Sequence, residues 1–86
     1  MTDQEIRCAI LKYVYDQKKA SKVAMAVASR IVGDYNLDIK RVLRILRSLD
    51  NEGLLKSVPP GTATDREITE EGIREYREKC SENKGD

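Results

Sequence analysis

Apolar residues recur at helical spacing along most of this chain of 86 residues. Ile6, Ala9, Ile10, Tyr13 and Val14 fall at i, i+3, i+4, i+7 and i+8, which puts them on one stripe of a first helix. Thr2, with Glu5 three positions on, stands just ahead of that stripe as a capping box and predicts where the helix opens. The pattern breaks at Gln17-Lys18-Lys19-Ala20, which reads as a short extended connection. Ser21 then has the chemistry of an N-cap for a second helix, with Val23, Val27 and Ile31 on its stripe and Ala24 and Ala28 beside it. Gly33 is placed to end that helix in the left-handed conformation, and Asp34-Tyr35-Asn36 reads as a polar turn.

The third helix carries the clearest signals. Asp38 is the predicted N-cap, and Leu37 and Val42 are spaced as a hydrophobic staple. Ile39, Val42, Leu43, Leu46 and Leu49 form its predicted buried face, with Ile45 on the flank. Gly53 stops the helix, and Leu54 is positioned to fold back onto Leu49 as in a Schellman ending. Leu54 to Val58 predicts a strand, Pro59-Pro60-Gly61 a turn, and Thr64 to Ile68 a returning antiparallel strand. Thr69 caps a last helix that opens on Glu70 and Glu71 and carries Ile73, Tyr76 and Cys80 on its stripe. The predicted fold class is therefore mainly α with a small β-hairpin: a winged helix-turn-helix with a three-helix core, a wing and a C-terminal helix. It forms one domain over residues 1–80, followed by a polar, flexible tail over 81–86.

Composition narrows the picture. With four Tyr and neither Trp nor Phe, the core rests on aliphatic residues. Val23–Ser29, the longest uncharged apolar run, is too short to cross a bilayer, and no leader pattern opens the chain, so no membrane association and a cytoplasmic location are expected. Cys8 and Cys80 are expected to be free thiols in that compartment, with a disulfide between the terminal helices as the alternative. Tyr13 and Tyr76 lie on apolar stripes and read as core, and Met25 as a gap-filler among alanines. Tyr35 either touches a phosphate or covers the core edge.

The chain contains no His, no GxSxG, no P-loop and no glycine-rich phosphate cradle, so neither an enzyme nor a metal site nor a cofactor is expected. The acid pairs Glu70-Glu71 and Asp65-Glu67 are explained by solvation and by the helix dipole.

The formal net charge of +1 conceals a division. Residues 1–48 hold ten Lys/Arg against five Asp/Glu, and residues 49–86 hold six against ten. Projected at 100° per residue, Lys40, Arg44 and Arg47 fall together on the outer face of the third helix, with Arg41 at its edge. No acid interrupts this face, and its guanidinium groups suit guanine edges and phosphates alike.

Residues Asp38 to Leu55, DIKRVLRILRSLDNEGLL, resemble the recognition helix and first wing strand of winged helix-turn-helix transcriptional regulators. Arg66 to Tyr76, REITEEGIREY, is similar to the wing-to-last-helix stretch of MarR- and PadR-type regulators. The resemblance implies sequence-specific binding of double-stranded DNA, with helix 38–52 reading the major groove through Lys40, Arg41, Arg44 and Arg47. It also implies that Ser21 and Lys22 approach a phosphate and that the wing lies over the backbone, where Lys56 and Arg66 at its base are its cations. The sequence departs from the pattern in three ways: a long turn between Ile31 and Leu37, an uncharged wing tip over Ser57–Thr64, and no long extra helices for dimerisation. A homodimer would then use the first and last helices. Two other functions fit the same pattern: a protein–protein interaction module within a larger complex, and an RNA- or ribosome-binding domain.

Overall fold

The computed structural model describes residues 1–58 and 64–80, and the predicted Pro59-Pro60-Gly61 turn and the tail over 81–86 lie outside them. The chain is mainly helical with a small antiparallel hairpin: α1 (Asp3–Lys19), α2 (Val27–Tyr35), α3 (Ile39–Asn51), β1 (Leu55–Ser57), β2 (Arg66–Ile68) and α4 (Glu70–Glu75), with α4 running on into a π-helical turn over Tyr76–Cys80.

The Thr2–Glu5 capping box forms as the spacing predicts. The Glu5 N–H donates to Thr2 Oγ1 at 3.1 Å, and the Thr2 N–H donates to Glu5 Oε1 at 2.8 Å. Ile6, Ile10, Leu11 and Val14 are the buried residues of α1. The helix does not break at Gln17, because Gln, Lys and Ala are strong helix formers and Lys18 and Lys19 suit the negative end of the dipole. It ends one turn later on Ser21, at φ 60. There the Ser21 N–H bonds Lys18 O at 2.9 Å and the Lys22 N–H bonds Gln17 O at 2.8 Å, the paired bonds of a Schellman ending. Ser21 thus closes α1 and does not cap α2.

The extended connection lies one step further along. Ala24 pairs with Arg66 on the edge of β2 away from β1, through bonds of 3.2 and 2.9 Å. Ala26, at φ 48, then turns the chain into α2. Gly33 does not stop this helix. The Arg30–Asp34 ion pair at 3.0 Å supports the turn that contains it, and Asn36 at φ 55 supplies the left-handed ending that Asn tolerates best after Gly. The connection to α3 is therefore only Asn36, Leu37 and Asp38, and the long turn expected between Ile31 and Leu37 is absent.

Asp38 caps α3 by accepting the Arg41 N–H at 3.2 Å. The buried face is Val42, Ile45, Leu46 and Leu49, rotated from the expected one: Ile45 is buried, Leu43 is half-buried and Ile39 is 42% exposed. At the far end the Leu54 N–H bonds Leu49 O at 3.0 Å and the Gly53 N–H bonds Asp50 O at 3.1 Å, with Gly53 at φ 79. This is the predicted Schellman ending, and Leu49 and Leu54 share the core.

In the hairpin Leu55 pairs with Ile68, Lys56 with Glu67 and Ser57 with Arg66. Leu55 and Ile68 are buried, and Lys56 and Glu67 meet on the outer side at 3.6 Å. Thr69 links the hairpin to α4. Its hydroxyl accepts the Gly72 N–H at 3.0 Å and donates to Gly53 O at 2.6 Å. Gly72 is buried, and a Cβ there would collide with the Leu54 carbonyl and approach Ile68 Cγ1 at 2.6 Å. This close approach of helix to loop requires glycine.

Ile73, Tyr76 and Cys80 pack on the core formed by the other elements, and the Tyr15 and Tyr76 rings lie 4.9 Å apart. The side-by-side packing of α1 and the last helix brings the Cα atoms of Cys8 and Cys80 to 5.3 Å, and the two form a disulfide. The expected free thiols are thus replaced by a cross-link over 72 residues. The apolar stripes of the first and last helices face inward. Among the described residues no helix is long and apolar enough to cross a membrane.

Two outcomes check this packing. The double change Cys8→Ser, Cys80→Ser is expected to lower stability in urea unfolding by about 2–4 kcal/mol, the loss of one long-loop cross-link. Wild-type protein unfolded without reductant should show no titratable thiol, and two titratable thiols there would contradict the cross-link. Gly72→Ala is expected to cost about 1–3 kcal/mol or more, because the Leu54 carbonyl is backbone and must move with its loop. An unchanged unfolding midpoint would contradict that contact.

Candidate nucleic-acid interface

The outer face of α3 is set by its inner one. With Val42, Ile45, Leu46 and Leu49 turned inward, the 3.6-residue period leaves Lys40, Leu43, Arg44, Arg47, Ser48 and Asn51 lining a shallow groove along the helix. No acidic residue lines this groove. Lys40, Arg44 and Arg47 are exposed. Among the described residues neither Lys40 nor Arg47 enters an ion pair, and the Arg44 guanidinium has one distant partner, Asp3 Oδ2 at 4.0 Å.

The acids at the ends of α3 itself are engaged away from this groove. Asp38 caps the helix. Asp50 takes a bidentate pair from Arg66, Nε to Oδ1 and Nη2 to Oδ2, both at 2.9 Å. Glu52 takes a bidentate pair from Arg7 at 2.7 and 2.9 Å, and Arg7 also reaches Glu75 at 3.3 Å. The hydrogen bond from Arg7 holds the Glu52 carboxyl below its ordinary pKa, and the same bond raises that of Arg7. The cationic stripe is thus not offset by the carboxylates at its own helix end.

The other expected contacts fare differently. Arg41 does not line the groove. Its Nε and Nη2 both donate to Asp3 Oδ1, at 3.0 and 2.8 Å, and Nη2 also donates to Met1 O at 2.6 Å. Its position nearer α1 than the open face explains this, and its side chain is 33% exposed against 67% for Arg44.

Ser21 and Lys22 are not at a helix start, so the helix N-terminus assigned to them is not there. At the real start of α2 the Ala26 N–H is taken by Asp65 Oδ1 at 2.8 Å and the Val27 N–H by Thr64 O at 3.2 Å. Lys22 is exposed beside a depression that it lines with Lys18 and Glu67. Lys56 is exposed and paired with Glu67.

Arg66 is no surface cation. Its side chain is 8% exposed, bound to Asp50 and to the Asp65 carbonyl. Strand parity carries the reason, since Ile68 points into the core and a residue two positions away shares its side. That signal was present in the sequence, as was the helical spacing that adds Leu43, Ser48 and Asn51 to the stripe. Asp3 carried no such signal, because its partner is 38 residues away.

The remaining aromatic and apolar candidates also resolve. Tyr13 is half-buried, with its hydroxyl donating to Met25 O at 3.1 Å and Arg30 stacked on its ring. Met25 fills no gap, being 61% exposed, and Tyr35 is exposed at the end of α2. Among the described residues no group of three or more His, Cys, Asp or Glu side chains is placed to hold a metal ion. Comparison of the chain with protein-family models, with curated proteins and with solved structures finds no match.

The structural assignment of Arg66 is directly testable. Arg66→Ala removes the buried partner of the half-buried Asp50 carboxylate and is expected to cost about 3 kcal/mol in urea unfolding. A loss within the range of exposed pairs, below about 1 kcal/mol, would return Arg66 to the surface.

Proposed function

We propose that this chain is a winged helix-turn-helix domain that binds double-stranded DNA, with α3 in the major groove. One observation carries the reading: an acid-free stripe of Lys40, Arg44 and Arg47 on the exposed side of a helix that follows a three-residue turn. A turn of that length between two packed helices suits a helix-turn-helix, and the hairpin after α3 is where a wing belongs. An α-helix fits the major groove of B-form DNA, whereas the deep, narrow major groove of A-form RNA excludes it, which favours DNA over duplex RNA.

In this reading Arg44 and Arg47 donate bidentate hydrogen bonds to guanine edges. Asn51 and Ser48 add donors and acceptors on the same stripe, and Lys40 and Lys56 serve phosphates. Sequence-specific occupancy of a promoter would make the protein a transcriptional regulator.

The test is a titration of a labelled random-sequence duplex at several salt concentrations. Affinity is expected to fall linearly on a log–log plot, with each phosphate contact contributing about 0.9 to the slope. Arg44→Ala and Arg47→Ala should each weaken binding to the preferred site by about 1–3 kcal/mol. No binding at low salt would replace this reading with the protein-interaction module, and single-stranded RNA bound as tightly as duplex DNA would replace it with RNA binding.

A further inference from the structure

We propose that Asp3 is a built-in counter-ion that withdraws Arg41 from the duplex and so lowers the sequence-independent part of the binding. The inference rests on the reading of α3 as a duplex-binding helix and names a positioning residue for that same site.

Asp3 is the first residue of α1, and its side chain is 61% exposed. Its capping neighbours do not need it: Thr2 and Glu5 exchange both bonds of the capping box by themselves. Its carboxylate is turned instead to α3. Oδ1 accepts from both Nε and Nη2 of Arg41, and Oδ2 lies 4.0 Å from Arg44 Nη2. Among the described residues it is the only acid in ion-pair reach of the outer cations of α3. The Met1 carbonyl completes the hold on Arg41, so that guanidinium has three acceptor contacts from within the chain.

The consequence follows from ion exchange. A phosphate that reaches Arg41 must displace a carboxylate already bound to it, exchanging one anion for another, whereas a phosphate that reaches Lys40 or Arg47 displaces only solvent and mobile ions. Arg41 therefore adds little to the sequence-independent attraction. Asp3 thereby removes about one phosphate contact from the binding of any duplex.

The experiment compares wild type, Asp3→Asn, Arg41→Gln and the double variant on a random-sequence duplex between 50 and 200 mM salt, with thermal unfolding of each. Asp3→Asn should bind the random duplex more tightly at low salt. Its log–log slope should be steeper by about one contact, which makes it lose about 3.5-fold more affinity than wild type across that range. Adding Arg41→Gln should remove most of this gain. A residue that merely steadied α1 would shift the unfolding temperature and leave the slope unchanged. Wild-type binding with identical affinity and slope in Asp3→Asn would overturn the inference and leave the duplex-binding reading intact. Weaker binding by Asp3→Asn would overturn it as well. Wild type that binds no duplex at any salt would overturn both.

Discussion

Arg66 is the point at which the parts of this small structure meet. Its backbone bonds Ala24 on one side and pairs with Ser57 on the other, so the connection before α2 and both strands of the hairpin share one residue. Its side chain crosses to Asp50 in the last turn of α3 and makes two parallel hydrogen bonds there. The planar guanidinium matches a carboxylate in this geometry and resists rotation about either contact. The pair therefore fixes the hairpin against the C-terminal end of α3, and with it the direction in which the groove on α3 faces relative to the strands. Placing a charge inside the protein does not by itself raise stability, but leaving its partner alone there is costly, so the two residues depend on each other.

Several features of the fold were legible because the chemistry that makes them is local. Thr2, Asp38 and Thr69 cap the helices they precede, and Gly53 ends α3, since each satisfies backbone groups a few residues away. The errors cluster between residues 17 and 36, where long-range pairing overrides local preference. Ser21, Ala26 and Asn36 adopt left-handed backbone without being glycine, while Gly33 sits in ordinary helix. The pairing of Ala24 with Arg66 explains the first two, because the chain must leave α1, run beside β2 and re-enter a helix within a few residues. Nothing within that stretch announces a partner some forty positions on.

The candidate site divides in the same way. Lys40, Arg44 and Arg47 were legible from helical projection because burial of one face decides the other. Arg41 was not, since its partner Asp3 is brought near only by tertiary packing, which also decides the disulfide between the two cysteines; for Arg66 strand parity announces the burial, and only packing supplies Asp50. These long-range pairs also shape the electrostatics. A chain of formal charge +1 keeps a cationic stripe because the neighbouring carboxylates are occupied elsewhere: Asp50 by Arg66, Glu52 by Arg7, and Asp38 by the start of its helix. The cost falls on Arg41, which is held by Asp3 and drops out of the stripe.

The proposal that this stripe enters the major groove makes a spatial claim, and a footprint at residue resolution tests it most directly. Isotope-labelled protein titrated with a DNA duplex and followed by NMR should show perturbations concentrated on Lys40, Leu43, Arg44, Arg47, Ser48 and Asn51, with a weaker set at Lys56. Perturbations centred instead on the side where α1 meets the last helix, around Cys8, Ala9, Tyr76 and Cys80, would contradict the account, as would a spectrum that the duplex leaves unchanged at low salt.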